Sequence, residues 1–152
     1  MRRMKAYPAV SYALSFSLII AALVFAYTTL VPITVLQDWR LILKKNSYTL
    51  DEIITVESAY TKTRNVTGIA TRYIECKNDR DVYVRYELSV ADANRAPSAG
   101  STGIVSKIPN SIVPPTSCRF SVNVCYQLYR WRNSCEYNST SDFEVLPAVG
   151  SN

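Results

Sequence analysis

The chain has 152 residues, with seventeen Lys and Arg against twelve Asp and Glu, four Cys and no His. That length allows one membrane segment and one small domain rather than two sizeable cores. The missing histidine excludes Ser-His-Asp and Cys-His nucleophile activation, imidazole general bases and the commonest metal ligand.

The positive charge is not clustered. Arg2, Arg3 and Lys5 stand at the start, and from Asp38 onward fourteen basic residues face twelve acidic ones with interspersed signs. Nucleic-acid binding needs a basic face, so a nucleic-acid partner is not expected. Residues 1–10 read as a basic cytoplasmic tail. Between Lys5 and Asp38 lie thirty-two positions without a charge, densest from Leu14 to Val35. A helix needs about 20 such residues to cross the hydrocarbon of a bilayer, and we read 11–37 as one transmembrane helix. The hydroxyls of Ser15, Ser17, Thr28 and Thr29 can bond carbonyls within it. A cleaved signal peptide is the competing reading, with Val24-Phe25-Ala26 as its cleavage site. Against it, apolar sequence continues for about ten residues beyond that point, longer than such a segment should. Basic residues flank both ends of the run, so charge alone nearly ties the orientation. The basic start and the downstream cysteines favour the N-terminus inside and the rest outside.

Residues 38–50 read as a juxtamembrane linker. Beyond them the hydrophobic period changes to two. Val82, Val84, Tyr86, Leu88 and Val90 alternate with polar or smaller residues, as do Phe120, Val122, Val124, Tyr126 and Leu128. Each pattern is that of a half-buried strand. Further strands are expected at Glu52–Ser58, Gly68–Cys76, Thr102–Ile108 and Ser134–Val145. Lys77–Arg80 and Arg132–Ser134 read as turns, and Ala91–Gly103 as a loop. Six or seven strands within 51–146 imply an all-β antiparallel sandwich of immunoglobulin-like size, followed by a disordered tail at 147–152.

Cys76, Cys118, Cys125 and Cys135 contain no C-x-x-C pair, which disfavours zinc. An even number after a membrane segment fits disulfides in an oxidising compartment. Three pairings are possible. The favoured one joins Cys125 to Cys135 across the terminal hairpin and Cys76 to Cys118; it requires a bulge or a longer loop to bring Cys125 opposite Cys135.

Adjacent carboxylates such as Asp51-Glu52 and Asp79/Asp81 fit turn and capping roles. The four glycines form no phosphate-cradling loop. No enzyme and no cofactor is expected. Tyr129, Arg130, Trp131 and Arg132 form the most suggestive cluster, because Tyr, Trp and Arg dominate protein contacts. Asn65-Val66-Thr67 and Asn138-Ser139-Thr140 match the N-glycosylation pattern. Ala21, Ala22 and Ala26 offer small residues for helix contact and a possible homo-oligomer.

The anchor at residues 1–36, followed by strands ending in SCRFSVNVCYQLYRWRNSCEYNSTSDFEV, resembles small single-pass membrane proteins of unknown role encoded by tailed phages and bacteria. The resemblance covers the plan of the chain and implies an inner-membrane location with no known activity. The expected function is a membrane-anchored, non-catalytic β-domain outside the cytoplasm that binds an unidentified protein partner. The alternative is a structural envelope or virion component assembling through its membrane helix.

Overall fold

A computed structural model describes residues 7–30, 33–93, 98–130 and 132–147. The chain divides into two compact units at Ile33/Thr34. The first holds helix α1, Tyr7–Leu30, which carries no charged residue. It is long and apolar enough to cross a membrane, and no side chain of its apolar span is buried. The hydroxyls of Ser17, Thr28 and Thr29 are satisfied within the helix. Ser17 donates to the Ala13 carbonyl at 2.9 Å and Thr29 to that of Phe25 at 2.8 Å, which removes the cost of carrying them in an apolar setting.

The second unit is β-rich. Its strands are β1 (Leu36–Leu43), β2 (Ser47–Thr49), β3 (Ile53–Lys62), β4 (Gly68–Lys77), β5 (Tyr83–Asp92), β6 (Ser98–Lys107), β7 (Thr116–Tyr129), β8 (Arg132–Ser139) and β9 (Phe143–Leu146). A three-stranded sheet runs β1-β3-β6. A six-stranded sheet runs β2-β9-β7-β4-β5, with β8 also paired to β7. Strand β7 is long enough to serve both partners on one edge: Thr116–Cys118 pair with β9 and Ser121–Tyr129 with β8. All pairings are antiparallel except β2 with β9. That parallel pair departs from the purely antiparallel expectation.

Period-two patterning explains which faces are buried. On β3 the even residues Ile54, Val56, Ser58 and Lys62 are buried; on β7, Cys118, Phe120, Val122, Val124 and Tyr126 are. Side chains from both sheets, among them Ile54, Ile104, Ile74 and Phe120, form one hydrophobic cluster. Full burial of each large one contributes about 1.5–3 kcal/mol. Strand β8 reaches β1 through side chains. The Glu136 carboxylate accepts from the Val35 and Leu36 amides, and Asn138 Nδ2 donates to the Trp39 carbonyl at 2.6 Å.

Several boundaries differ from the sequence reading. The transmembrane reading of 11–37 and the linker reading of 38–50 are corrected: α1 ends at Leu30, and β1 and β2 belong to the β unit. Pro32 disfavours helix at its own position and the one before it, and Ile33, Thr34 and Val35 prefer extended backbone. The loop reading of Ala91–Gly103 is corrected too. Ser98–Lys107 pairs with β3 over all ten residues, so pairing overrides the weak strand propensity of Ser, Ala and Gly. The Ser134–Val145 strand is two strands, β8 and β9, and Arg132–Ser134 lies in β8 rather than in a turn. The first six residues of the basic tail at 1–10 and residues 148–152 of the C-terminal tail lie outside the described residues.

A close approach fixes one glycine. A Cβ on Gly68 would lie 2.4 Å from Tyr126 Cδ1 and 3.0 Å from the Cys125 carbonyl, whereas one on Gly100 would meet nothing within 4 Å. Tyr126 is buried and cannot withdraw. We expect Gly68→Ala to destabilise the β unit by about 1–3 kcal/mol and Gly100→Ala to leave it within about 0.5 kcal/mol, read as the midpoint of denaturant unfolding.

Candidate functional site

The outer face of the larger sheet is organised by one acid. Glu75 sits near the C-terminal end of β4 with its side chain 4% exposed. Register places Arg85 of β5 on one side of it and Arg119 of β7 on the other. Arg85 Nη2 lies 2.6 Å from Glu75 Oε1, and Arg119 Nε donates to Oε2 at 2.8 Å. The Ser121 hydroxyl donates to the same oxygen at 3.0 Å and the Tyr137 hydroxyl at 2.8 Å. Strands β4, β5, β7 and β8 are therefore joined at one carboxylate. Burial pushes the Glu75 carboxyl up, but the bonds from Tyr137, Arg119, Arg85 and Ser121 outweigh it and hold the group at about 2.

Aromatic rings complete this face. The Arg119 guanidinium lies 4.1 Å from the Tyr83 ring centroid and that of Arg85 4.6 Å from Tyr73. The Tyr83 hydroxyl donates to Asp142 at 2.8 Å. Tyr137 stays 47% exposed. Ile69, opposite Cys125, and Val90, opposite Thr71, extend the same face with exposed apolar side chains. Tyr73, Tyr83, Tyr86, Tyr126 and Tyr137 do not share one role. Alternation separates them: Tyr126 is buried among the core residues and Tyr86 packs against them, while the other three lie on the outer side with Glu75. The Tyr83-x-Arg85 spacing beside Tyr73-x-Glu75 was the available signal.

The Tyr129–Arg132 cluster occupies the β7–β8 turn. Tyr129 pairs with Arg132 and is 41% exposed, and Arg130 is exposed between them; Trp131 lies outside the described residues. Ser121 and Tyr129 are separated by roughly 25 Å of strand at about 3.3 Å per residue. The structure thus keeps this turn apart from the Glu75 face.

The disulfides join Cys76 to Cys118 and Cys125 to Cys135. A bulge at Leu128 shifts the hairpin register so that Cys125 stands opposite Cys135. The first bridge is in the core, and the second lies on the outer face with Cys135 exposed. The two glycosylation tripeptides differ in the same way. Asn65 is exposed, whereas Asn138 spends its amide nitrogen on the Trp39 carbonyl.

A second polar cluster points inward. Lys62 on β3 and Arg72 on β4 occupy inner positions of opposite sheets and line one cavity of 130 Å³ together with Trp39, Ser58 and Tyr126. Lys62 is 3% exposed, and its Nζ donates to the carbonyls of Val66 and Ala93 at 3.0 and 2.9 Å. Burial pushes its ammonium down. Among the described residues no group of three or more His, Cys, Asp or Glu could hold a metal ion.

No protein-family model matches the chain, and no curated protein does. Among solved structures the chain is similar to Spo0M, the sporulation control protein of Bacillus subtilis, at TM-score 0.43 and 12% identity, over 75% of this chain and 50% of that one. It is also similar to the Pseudomonas fluorescens alkylpurine DNA glycosylase AlkC bound to DNA containing an abasic-site analog, at TM-score 0.43 and 13% identity, over 74% and 31%. The chain spans half or less of the length of these proteins, and likeness at this level carries no functional argument.

Two predictions follow from the bridges and the buried acid. Mild reductant followed by alkylation and mass spectrometry should open Cys125–Cys135 first, with Cys76–Cys118 opening only on unfolding. A carboxyl held at about 2, against an ordinary 4.5, stabilises the fold fully above pH ~4.5 and loses that contribution as pH falls toward 2. The contribution is on the order of 3 kcal/mol. Glu75→Gln should lower stability at pH 7 by about 3 kcal/mol and flatten that acid limb of the unfolding profile.

Proposed function

We propose that the chain is a membrane-anchored, non-catalytic β-sandwich module of immunoglobulin-like size. Helix α1 is the anchor, the N-terminus is cytoplasmic, and the β unit lies outside the cytoplasm. There it binds a protein partner through the outer face of its larger sheet. One observation carries the reading: five Tyr and Arg side chains are fixed around the buried Glu75 carboxylate. Tyr and Arg anchor protein interfaces, and side chains already held in place lose little entropy on binding. The two disulfides support an oxidising compartment. The length and apolarity of α1 support the anchor.

The experiment places a photo-crosslinking amino acid at Val90, on this face, and separately at Val113, which is 81% exposed in the β6–β7 connection. Irradiation is done in intact cells, with externally added protease reporting the side on which the β unit lies. The reading expects a discrete adduct to one other protein at Val90, none at Val113, and its loss in Ile69→Glu. Adducts only between copies of the chain would favour a structural assembly instead. Equal labelling at both positions, or a β unit inaccessible to protease, would overturn the proposal.

A further inference from the structure

Strand patterning makes the inner cavity unusual. Every second residue of β3 and β4 turns toward the space between the sheets, where apolar side chains are the rule. At those positions the chain carries Lys62 and Arg72. Burying a cation costs several kcal/mol unless it is compensated. Small residues on the surrounding strands, Ala70 and Ala91, which pair with one another, keep the space open rather than letting it collapse. The bulge at Asp38, whose φ is 51°, turns Trp39 so that its indole Nε1 donates to Ser58 Oγ at 3.1 Å along the wall. Arg72 spends Nη1 on Ser89 Oγ at a long 3.4 Å. Its Nε–H is buried with no acceptor, and no salt bridge to it occurs among the described residues. A buried donor without an acceptor costs about 1–3 kcal/mol. Here it lines a cavity that can admit one.

We propose that this cavity is a binding site for a small monocarboxylate with a compact apolar body. The carboxylate accepts from Arg72 Nε in the field of the Lys62 ammonium, and the body packs against Trp39, Val122 and Tyr126. The size matches: the volume of 130 Å³ is close to the ~150 Å³ that holds a benzene ring in a protein core. The charge matches as well. Lys62 and Arg72 are the charges that face the space, because Asp92, the one acid among the lining residues, is exposed and stands opposite Ile69 on the outer side of the sheet, so an anion meets two cations and no competing carboxylate. A phosphate dianion would carry more acceptors than the single open donor can meet.

The probe is benzoate, with benzyl alcohol as the uncharged ligand of the same shape and inorganic phosphate as the anion without the body. The full chain in phospholipid nanodiscs is titrated while the Trp39 indole N–H resonance is followed, identified by its loss in Trp39→Phe. Benzoate should move it saturably at millimolar concentration. Benzyl alcohol and phosphate should bind at least about tenfold more weakly, the factor that 1.4 kcal/mol represents. Arg72→Met should weaken benzoate by about tenfold or more. Ala70→Leu, which fills the space but keeps both cations, should abolish the shift and decides the matter if the Arg72 variant does not fold. Equal response to benzyl alcohol, unchanged binding in Ala70→Leu, binding of phosphate alone, or a linear response up to about 50 mM would overturn the proposal.

Discussion

Glu75 is the residue on which the larger sheet depends. A carboxylate buried in a protein costs several kcal/mol unless charged hydrogen bonds replace the water it loses. Here four groups from three neighbouring strands supply them. Because the acid is on β4, the arginines on β5 and β7 and the tyrosine on β8, that carboxylate fixes the lateral position of four strands. A one-residue slip in any of these pairings would turn its side chain to the opposite face. The same bonds hold the guanidinium groups over Tyr73 and Tyr83. Registration of the sheet and ordering of its outer surface are thus one event.

The sequence displayed much of this arrangement and concealed some of it for identifiable reasons. Strand β7 was legible because Phe120, Val122, Val124 and Tyr126 alternate without interruption. Strand β1 was not, because Leu36 follows an uncharged run and Leu41-Ile42-Leu43 has no alternation to distinguish strand from helix. Only after β1 pairs with β3 do its apolar side chains have a core to enter. Strand β6 was hidden by composition: Ser-Ala-Gly-Ser-Thr-Gly reads as loop until a ten-residue partner is present. The parallel pairing of β2 with β9 joins residues nearly a hundred positions apart, and no local pattern encodes it.

The candidate sites were less legible than the fold. Tyr129–Arg132 stood out because its residues adjoin in sequence. The Glu75 face was missed because its members come from strands far apart along the chain and meet only through register. Lys62 and Arg72 are a different case. Each violates the inward-apolar rule of its own strand, and such violations concentrate where a protein does something other than pack. Reading the β3 alternation through to Lys62, instead of ending the strand at Ser58, would have exposed the first of them.

Strand β2 begins four residues after β1 ends but lies in the other sheet, beside β9. Synthesis is vectorial, and β9 is the final described strand to leave the ribosome. The edge of the larger sheet therefore closes only once Phe143–Leu146 is available, nearly a hundred residues behind β2. Non-local closure of this kind is slow. Until then Thr116–Cys118 of β7, the stretch that β9 covers, is an open edge with which another chain can pair.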